Sequence, residues 1–290
     1  MRAQRLPQSV AAKIPADVAF MSPSDDGVME RIHRSLYVGL RQVEGFLRDH
    51  RIEYWMDAGT LLGARRHSAI IPWDDDIDLA MTLHSFQKVA SAVRHGTPEG
   101  LIWTSPETDP TQPNFLPGKF RIKGTYAIET GWLTHEGPAP QSLGLSIDLL
   151  PLEQIPPGSA WRRLARRFRF ENYLRQSFLH GRITSRHRRD TLHSAAVGRM
   201  PDAVFQNALK ILRAASRDSR TWGYALNAPW DGLQVHADQI WPLTNLRLGD
   251  RRIAAPRDPE GYLRRLYGPQ FLCLPPTRDR RPHSVMIGFD

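Results

Sequence analysis

The sequence contains one cysteine, Cys273, among 290 residues, which excludes an internal disulfide and a cysteine-rich zinc site. It also lacks an uninterrupted apolar run of about 18 residues, the length that a membrane-spanning helix needs. The first twenty residues contain no apolar stretch typical of a signal peptide. No internal repeat has the spacing of a solenoid or a propeller. We therefore expect a cytoplasmic protein, and its 41% hydrophobic and 24% charged residues are typical of a globular one.

Lysine is also scarce, with five lysines against 34 arginines, and the formal net charge is +9. The segment 161–189 contains ten of these arginines and a single acid, Glu171, so its own net charge of +9 equals that of the whole chain. The remaining residues balance, which excludes a protein that is basic throughout and coats nucleic acid. The basic character is therefore local.

Three interpretations of segment 161–189 are open, and we favour the first. The arginines are solvated on a packed amphipathic helix, where their stems cover apolar surface. Alternatively, the segment makes a peripheral contact with an anionic membrane, at its inner face, or with a lipid-linked glycan. Nucleic-acid binding is the third interpretation, but no recognisable motif supports it, so we expect no nucleic-acid partner.

Periodicity and breaker residues predict an α/β (α+β) fold in three parts. A loosely ordered segment spans residues 1–24, a catalytic core with a mixed sheet spans 25–155, and a mainly helical cover with a C-terminal segment spans 156–290. The cover packs on the core, and the two can form one continuous domain. Predicted helices run from Ser24 or Asp25 to 49 and over 84–94, 159–180, 190–216 and 259–267, with a short one after residue 57. Predicted strands lie at 53–56, within 70–82, and at 101–104, 119–122, 125–129 and 145–150.

The most informative segment is IIPWDDDIDLAM, residues 70–81. It contains four aspartates in five positions: Asp74, Asp75, Asp76 and Asp78. Ile77 and Leu79 alternate with the last two, so a strand would bury the apolar pair and point Asp76 and Asp78 to the opposite face. Two parallel carboxylates suit Mg²⁺ or Mn²⁺, because such a hard cation takes one or two carboxylates together with phosphate oxygens. A merely solvated acidic turn is less favoured, since it would not need the apolar alternation.

Two competing motifs fail on these residues. A calcium EF-hand loop starting at Asp74 needs Gly and Glu where Leu79 and Ser85 stand. A haloacid-dehalogenase phosphatase needs Thr or Val where Ala80 stands. The DxD motif of a metal-dependent glycosyltransferase remains open, because it is short and unspecific.

A strand-to-helix turn, DAGTLLG at residues 57–63, precedes the acidic strand. Backbone N–H groups at a helix N-terminus bind phosphate, and Gly59 would let a ligand approach the main chain. The two motifs together resemble the nucleotidyltransferase arrangement typified by DNA polymerase β, in which a later strand supplies a third carboxylate. Asp148, between Ile147 and Leu149, is the candidate for that carboxylate, because an aspartate within an apolar strand is costly unless it is paired or metal-bound.

Four separated blocks resemble the LicD family, which includes bacterial phosphocholine transferases and relatives of fukutin and fukutin-related protein. The blocks are GTLLGARRHSAIIPWDDDIDLAM (59–81), PGKFRIKGTYAIE (117–129), SIDLLPLE (146–153) and APRDPEGYLRRLYGPQFLCLPP (255–276). The middle of the chain, 159–240, shows no signature. The resemblance implies a polymerase β-like nucleotidyltransferase fold. It also implies transfer of a phospho-alcohol, such as phosphocholine or ribitol phosphate, from a CDP-activated donor to a hydroxyl of a glycan or lipid-linked glycan, with release of CMP.

The resemblance also implies roles for individual residues. Asp76 and Asp78 would hold Mg²⁺ or Mn²⁺ at the pyrophosphate, and Asp148 would complete the metal site or receive the proton of the acceptor. Candidate substrate- and phosphate-binding residues are Gly59, Thr60, Arg66, His67, Lys119 and Arg121. For the last two, solvated cations on a strand are an equal alternative. His67 has two interpretations, an acid–base group and a hydrogen-bonded structural histidine.

Two other functions are kept as alternatives. One is a glycosyltransferase or a true nucleotidyltransferase that uses the same carboxylates. The other is a non-enzymatic, basic protein that binds membranes or polyanions. The three carboxylates Asp76, Asp78 and Asp148 argue against the second alternative, because a decayed site has no reason to keep clustered charges.

Overall fold

The computed structural model describes residues 7–109, 111–112, 118–129, 140–180, 188–230 and 232–290. Its helices are α1 (Gln8–Ala11), α2 (Val28–Asp49), α3 (Ala58–His67), α4 (Leu83–Ala92), α5 (Ser159–Leu179), α6 (Arg188–Gly198), α7 (Asp202–Ser216), α8 (Ala237–Ile240) and α9 (Pro259–Tyr267). Its strands are β1 (Phe20–Met21), β2 (Trp55–Met56), β3 (Asp76–Thr82), β4 (Leu101–Thr104), β5 (Gly118–Ile122), β6 (Thr125–Glu129), β7 (Ser146–Gln154), β8 (Thr221–Tyr224), β9 (Val235–His236), β10 (Thr244–Leu248), β11 (Arg251–Ala255) and β12 (Ser284–Phe289).

A mixed sheet of seven strands forms the centre of the protein. Five strands follow the order β2-β3-β7-β5-β4, and β8 pairs with β7 and β9 with β8. The β3–β7 pair is parallel, whereas β2–β3, β5–β7, β4–β5, β7–β8 and β8–β9 are antiparallel. The alternation predicted for β3 is present, because Ile77 and Leu79 are fully buried while Asp76 and Asp78 are only partly buried. The predicted mixed α/β (α+β) architecture is confirmed.

Helix α2 packs on this sheet through one apolar stripe. Its fully buried side chains recur every three or four residues: Ile32, Leu36, Leu40, Val43 and Leu47. Gly39 lets the helix lie close to the sheet, since a Cβ there would be 2.9 Å from Ile122 Cδ1 and 3.2 Å from Ile147 Cδ1. The helix begins at Val28, later than predicted, because Asp25 takes part in a turn in which its carboxylate accepts from the Ser22 amide at 2.9 Å.

Three predicted elements differ from the structure. Strand β3 starts only at Asp76, because the chain from Ile71 to Asp74 forms a turn closed by a 2.9 Å backbone hydrogen bond. The helix predicted over 190–216 is two helices, since Pro201 stands immediately before α7 and cannot continue α6. The part after residue 155 also contains strands, of which β8 and β9 extend the central sheet and β12 pairs with β1 and β6. The predicted boundary between residues 155 and 156 stays a prediction.

Helices α5, α6 and α7 form a cover with a small core of its own. The buried residues of this core are Ile155, Ala165, Phe168, Val197, Phe205, Leu209, Leu212 and Leu226. Helix α5 contributes Ala165 and Phe168 to this core, whereas Trp161 and Leu164 of the predicted apolar stripe are exposed. None of the described helices combines the length and the apolar character that crossing a bilayer requires.

The arginines of segment 161–189 fall into different environments. Arg169 is buried and donates to two backbone carbonyls, that of Tyr224 at 2.6 Å and that of Trp230. Arg175 is also buried, 3.3 Å from the carboxylate of Asp202. Four arginines of the first half of α5 are exposed: Arg162, Arg163, Arg166 and Arg167. The side chains of the other four, Arg182, Arg186, Arg188 and Arg189, lie outside the described residues.

Candidate functional site

The pairing of β3 with β7 brings the three predicted carboxylates together. In this parallel pair Asp78 lies opposite Asp148, and Asp76 lies opposite Ser146. One carboxylate oxygen from each of Asp76, Asp78 and Asp148 lies within 4.8 Å of the others. Two carboxylates two residues apart on one strand, with a third in register on its neighbour, form one acidic cluster. We refer to these three residues as the carboxylate cluster.

Burial and mutual repulsion make this cluster unfavourable without a counter-charge. Burial raises the pKa of Asp76 well above its ordinary value, and the charges of Asp78, Asp74 and Asp148 raise it further. Burial likewise raises the pKa of Asp78, and the neighbouring Asp148 adds to the rise. In the described part of the chain, Asp148 Oδ1 is buried without a hydrogen-bond partner. An all-oxygen cluster with an unsatisfied buried oxygen fits a hard divalent cation.

Strand β5 places the two predicted cations on the same face as the cluster, but only one reaches it. Lys119 lies opposite Asp148 in the sheet, and its Nζ is 2.5 Å from Asp148 Oδ2. Both side chains of this pair are largely buried, so the ion pair is shielded from water. Arg121 lies opposite Ser146 and donates from Nη1 to the Gly144 carbonyl at 2.8 Å. The phosphate-binding roles of the two cations stay predictions.

The start of α3 is tied to Asp78. The Gly59 amide donates to Asp78 Oδ2 at 3.3 Å, and the Thr60 hydroxyl oxygen accepts from the Asp78 amide at 2.8 Å. Thr60 is only 3% exposed, so its hydroxyl holds the turn against β3 from inside the fold. Gly59 leaves room for a neighbouring acid, since a Cβ there would be 2.7 Å from Asp74 Oδ2. The predicted contacts of Gly59 and Thr60 with phosphate remain predictions.

The two acids that precede the cluster have separate environments. Asp75 is buried, and its two carboxylate oxygens accept from the amides of His283 and Ser284 at 2.8 and 2.9 Å. It thereby fixes the start of β12 beside the acidic strand. Burial raises the pKa of Asp74 to about 6, against an opposing effect of His283, whose Nε2 is 3.8 Å from Asp74 Oδ1. Asp74 thus adds a fourth carboxylate next to the cluster.

Arg66 and His67 belong to a cationic and aromatic group around Trp73. Arg66 donates from Nε to His67 Nε2 at 3.0 Å and from Nη1 to the Cys273 carbonyl at 3.3 Å. Burial, and then the charge of Arg66, lower the pKa of His67, which favours the neutral ring that accepts this hydrogen bond. The guanidinium of Arg66 lies 5.7 Å from the Trp73 ring centroid and that of Arg280 lies 5.4 Å from it. Sequence reasoning missed Arg280, because it is remote in the chain and lies in no motif.

A second residue that the sequence did not single out is Asp57, at the N-cap of α3. It is fully buried, and neither carboxylate oxygen has a hydrogen bond of good geometry in the described part of the protein. Burial raises its pKa to about 6, while the Ala58 amide and the hydroxyls of Tyr262 and Tyr224 partly oppose this rise. A signal was present in the sequence, since Asp57 begins the turn DAGTLLG, but the pattern did not show that the side chain is enclosed.

A cavity of about 280 Å³ lies between the central sheet and the helical cover. Leu150 of β7 lines it, and this residue is on the same face of the strand as Asp148, two positions away. Several aromatic side chains contribute to its wall: Phe86, Phe168, Phe205, Tyr224 and Trp230. The cavity therefore offers a small, mainly apolar space beside β7, the strand that carries Asp148.

Comparison with known proteins points to one family over a short part of the chain. Residues 51–109 match the family model described as LicD/FKTN/FKRP, nucleotidyltransferase domain. This segment contains the α3 turn and β3, hence Gly59, Thr60, Asp76 and Asp78. Asp148 lies outside it.

Individual relatives match within short stretches as well. The human ribitol 5-phosphate transferase FKRP is 48% identical over 50 residues, which are 17% of this chain and 10% of that protein. The lipopolysaccharide cholinephosphotransferase LicD of Haemophilus influenzae is 49% identical over 39 residues, 13% of this chain and 15% of its own. An uncharacterized protein of Rickettsia typhi is 43% identical over 54 residues, 19% and 18% of the two chains. The matched stretches span less than a fifth of the length of these curated relatives.

Proposed function

The chain carries the nucleotidyltransferase segment of the LicD family at residues 51–109, and on this premise we propose that it is a metal-dependent phospho-alcohol transferase. In the proposed reaction a phospho-alcohol passes from a CDP-activated donor to a hydroxyl of a glycan or glycolipid. Two relatives, a ribitol 5-phosphate transferase and a lipopolysaccharide cholinephosphotransferase, support this class of reaction. The observation that carries the proposal is the carboxylate cluster, formed in register across β3 and β7.

Asp76, Asp78 and Asp148 are the proposed ligands of a Mg²⁺ or Mn²⁺ ion. When bound, this ion would neutralise charge on the pyrophosphate of the donor, which is a large part of what phosphoryl transfer requires. Lys119 supplies a fixed positive charge at the same place through its contact with Asp148. The Gly59 amide and the Thr60 hydroxyl hold Asp78 in position from the α3 side.

The bond changes of the proposed reaction follow from the donor. The acceptor hydroxyl oxygen attacks the phosphorus that bears the alcohol, the bond from this phosphorus to the bridging oxygen breaks, and CMP leaves with that oxygen. The hydroxyl proton passes to water while Asp148 serves as a metal ligand. The cavity next to Leu150 provides space for an organic group of donor or acceptor. We place the reaction in the cytoplasm, at the inner face of the membrane where lipid-linked acceptors are found.

A donor panel tests the proposal. The protein is incubated with Mg²⁺ or Mn²⁺ and, separately, CDP-choline, CDP-ribitol, CDP-glycerol, UDP-sugars and nucleoside triphosphates. We expect CMP release from at least one CDP-alcohol, with water in place of the acceptor hydroxyl, and its loss on addition of EDTA. Release of UDP or of pyrophosphate instead would favour a glycosyltransferase or a nucleotidyltransferase and contradict the proposal.

The matched variant for this assay is Asp78→Ala. We expect it to abolish CMP release while the circular dichroism spectrum keeps the shape of the wild type. Asp218→Ala, which removes an exposed carboxylate at the end of the helical cover, serves as the control and keeps full activity. Unchanged turnover in Asp78→Ala would refute the assignment of the cluster.

A further inference from the structure

Two arginines from distant parts of the chain meet at one tryptophan near the carboxylate cluster. The guanidinium of Arg66 lies 5.7 Å from the Trp73 ring centroid, and that of Arg280 lies 5.4 Å from it. Arg66 belongs to α3, whereas Arg280 stands four residues before β12. Asp75 brings the two segments together, because its carboxylate accepts from two backbone amides where β12 begins, at 2.8 and 2.9 Å. We refer to Arg66 and Arg280 as the arginine pair.

The arginine pair is positioned by backbone contacts and has no counter-charge of its own. Arg66 donates to His67 Nε2 and to the Cys273 carbonyl, and Arg280 donates from Nε to the Pro275 carbonyl at 2.9 Å. Among the described residues, neither guanidinium has a carboxylate within ion-pair distance. Burial lowers the pKa of Arg66, and the positive charge of Arg280 also lowers it, so the two cations repel each other. Two partly buried cations held together in this way indicate a site for an anion.

Asp74 connects the arginine pair to the carboxylate cluster. The negative charge of Asp74 acts on Arg66 and raises its pKa against the effect of burial. Oδ2 of Asp74 and Oδ2 of Asp78 both face Gly59, since a Cβ on this glycine would be 2.7 and 3.7 Å from them. The arginine pair and the proposed metal ligand Asp78 are therefore neighbours of the same carboxylate.

The charges of the cluster indicate which anion the arginine pair would bind. Asp76, Asp78 and Asp148 carry three negative charges when they are ionised. Lys119 and a divalent ion would cancel these three, so the two negative charges of a diphosphate need cations from elsewhere. The arginine pair supplies two, and a guanidinium binds phosphate oxygens through two parallel hydrogen bonds.

We propose that Arg66 and Arg280 together bind the diphosphate of the substrate, which makes Arg280 a substrate-binding residue. Trp73 holds both guanidinium groups beside its ring. Arg280 lies outside residues 51–109, the segment that matches the family model, so the assignment comes from the contacts of the folded chain. That the diphosphate belongs to a CDP-activated donor rests on the proposed function, whereas binding of a diphosphate by the arginine pair does not.

Calorimetric titration in Mg²⁺ with pyrophosphate, CDP and cytidine tests this assignment. We expect the wild type to bind pyrophosphate, and to bind CDP more tightly than cytidine. Arg280→Gln and Arg66→Gln should each weaken the binding of pyrophosphate and of CDP on the order of tenfold or more, because each removes charge-assisted hydrogen bonds. The affinity for cytidine should not change. Arg280→Lys should recover part of the lost affinity, since lysine keeps the charge but not the planar fork, and unfolding would not give such a graded result.

The control variant is Arg278→Gln, which removes an exposed arginine two residues before Arg280 and should bind both ligands as the wild type does. Equal losses in Arg278→Gln and Arg280→Gln would overturn the proposal. Unchanged pyrophosphate affinity in Arg280→Gln, or no binding of pyrophosphate by the wild type, would overturn it as well. A loss of affinity for a hexose phosphate alone would overturn it in favour of a phosphorylated acceptor. Binding of pyrophosphate that depends on Arg280, without binding of CDP, would support the arginine pair and contradict the cytidine donor of the proposed function.

Discussion

The buried carboxylate Asp57 gives a quantitative prediction about stability and pH. Its pKa is raised from 3.8 to about 6 in the folded protein, chiefly by burial. A carboxyl group whose pKa is higher when folded binds more protons in the folded state, so stability falls as pH rises between the two values. One pKa unit corresponds to 1.36 kcal/mol, and the full cost of the charged form above the folded pKa is therefore about 3 kcal/mol. At pH 5 only about half of that cost is present.

The substitution Asp57→Asn keeps the shape of the side chain and removes the titration. The difference in free energy of unfolding, variant minus wild type, should become more favourable to the variant by about 1 kcal/mol between pH 5 and pH 8. The offset caused by the new amide group is the same at both pH values and cancels in this comparison. In melting temperature the change is on the order of 3 °C.

Differential scanning fluorimetry in EDTA at pH 5, 6, 7 and 8 measures this difference. Asp218→Asn, which changes an exposed carboxylate, is the control and should track the wild type at every pH. A difference between Asp57→Asn and wild type that does not change with pH would refute the reasoning. A difference that shrinks toward pH 8 would refute it as well, because the sign would then be that of a carboxylate stabilised by a cation.

Two further predictions concern the groups that surround the cluster. Lys119→Met leaves the largely buried Asp148 without its cation, so it should lower the free energy of unfolding by about 3 kcal/mol in EDTA and by clearly less in Mn²⁺. The control Lys88→Met should have little effect in either condition. An equal loss with and without Mn²⁺ would contradict a metal next to Asp148. Gly59→Ala places a Cβ 2.7 Å from Asp74 Oδ2, so the rate of CMP release should fall on the order of 100-fold. The control Gly45→Ala, whose Cβ has space, keeps full activity. Normal activity of Gly59→Ala would show that the α3 turn does not need this close approach.

Much of the fold was readable from local patterns. The 3.6-residue periodicity of α2 and the two-residue alternation of β3 depend on the side that each residue presents to a core, and the structure has both. The limits of elements were less predictable. Whether Asp25 begins the helix or stays in a turn depends on its bond to the Ser22 amide, and only the folded backbone shows that competition.

The site was predictable to the extent that its residues share strands. Asp76 and Asp78 follow from alternation within β3, and Asp148 was expected from the order of strands that the resemblance implied. The cluster itself depends on the parallel pairing of β3 with β7, which no local pattern specifies. Arg280 and the enclosure of Asp57 could not be predicted, because both result from contacts between segments far apart in the chain.

The arginine-rich segment shows why composition alone was insufficient. A net charge calculated from the sequence treats these arginines as equivalent. In the structure, Arg169 and Arg175 are buried and four other arginines of α5 are exposed. Burial of Arg169 depends on two backbone carbonyls from residues 224 and 230, which lie more than fifty positions away. The division between structural and surface arginines is thus a property of the packed cover.

Binding of Mn²⁺ tests the central claim, that Asp76, Asp78 and Asp148 form a divalent-cation site, most directly. Calorimetric titration with Mn²⁺ in the presence of CMP should show one site in the wild type. Affinity should fall on the order of 100-fold or more in Asp78→Asn and in Asp148→Asn, and stay unchanged in Asp218→Asn. Equal affinity in all four proteins would contradict the assignment of the cluster.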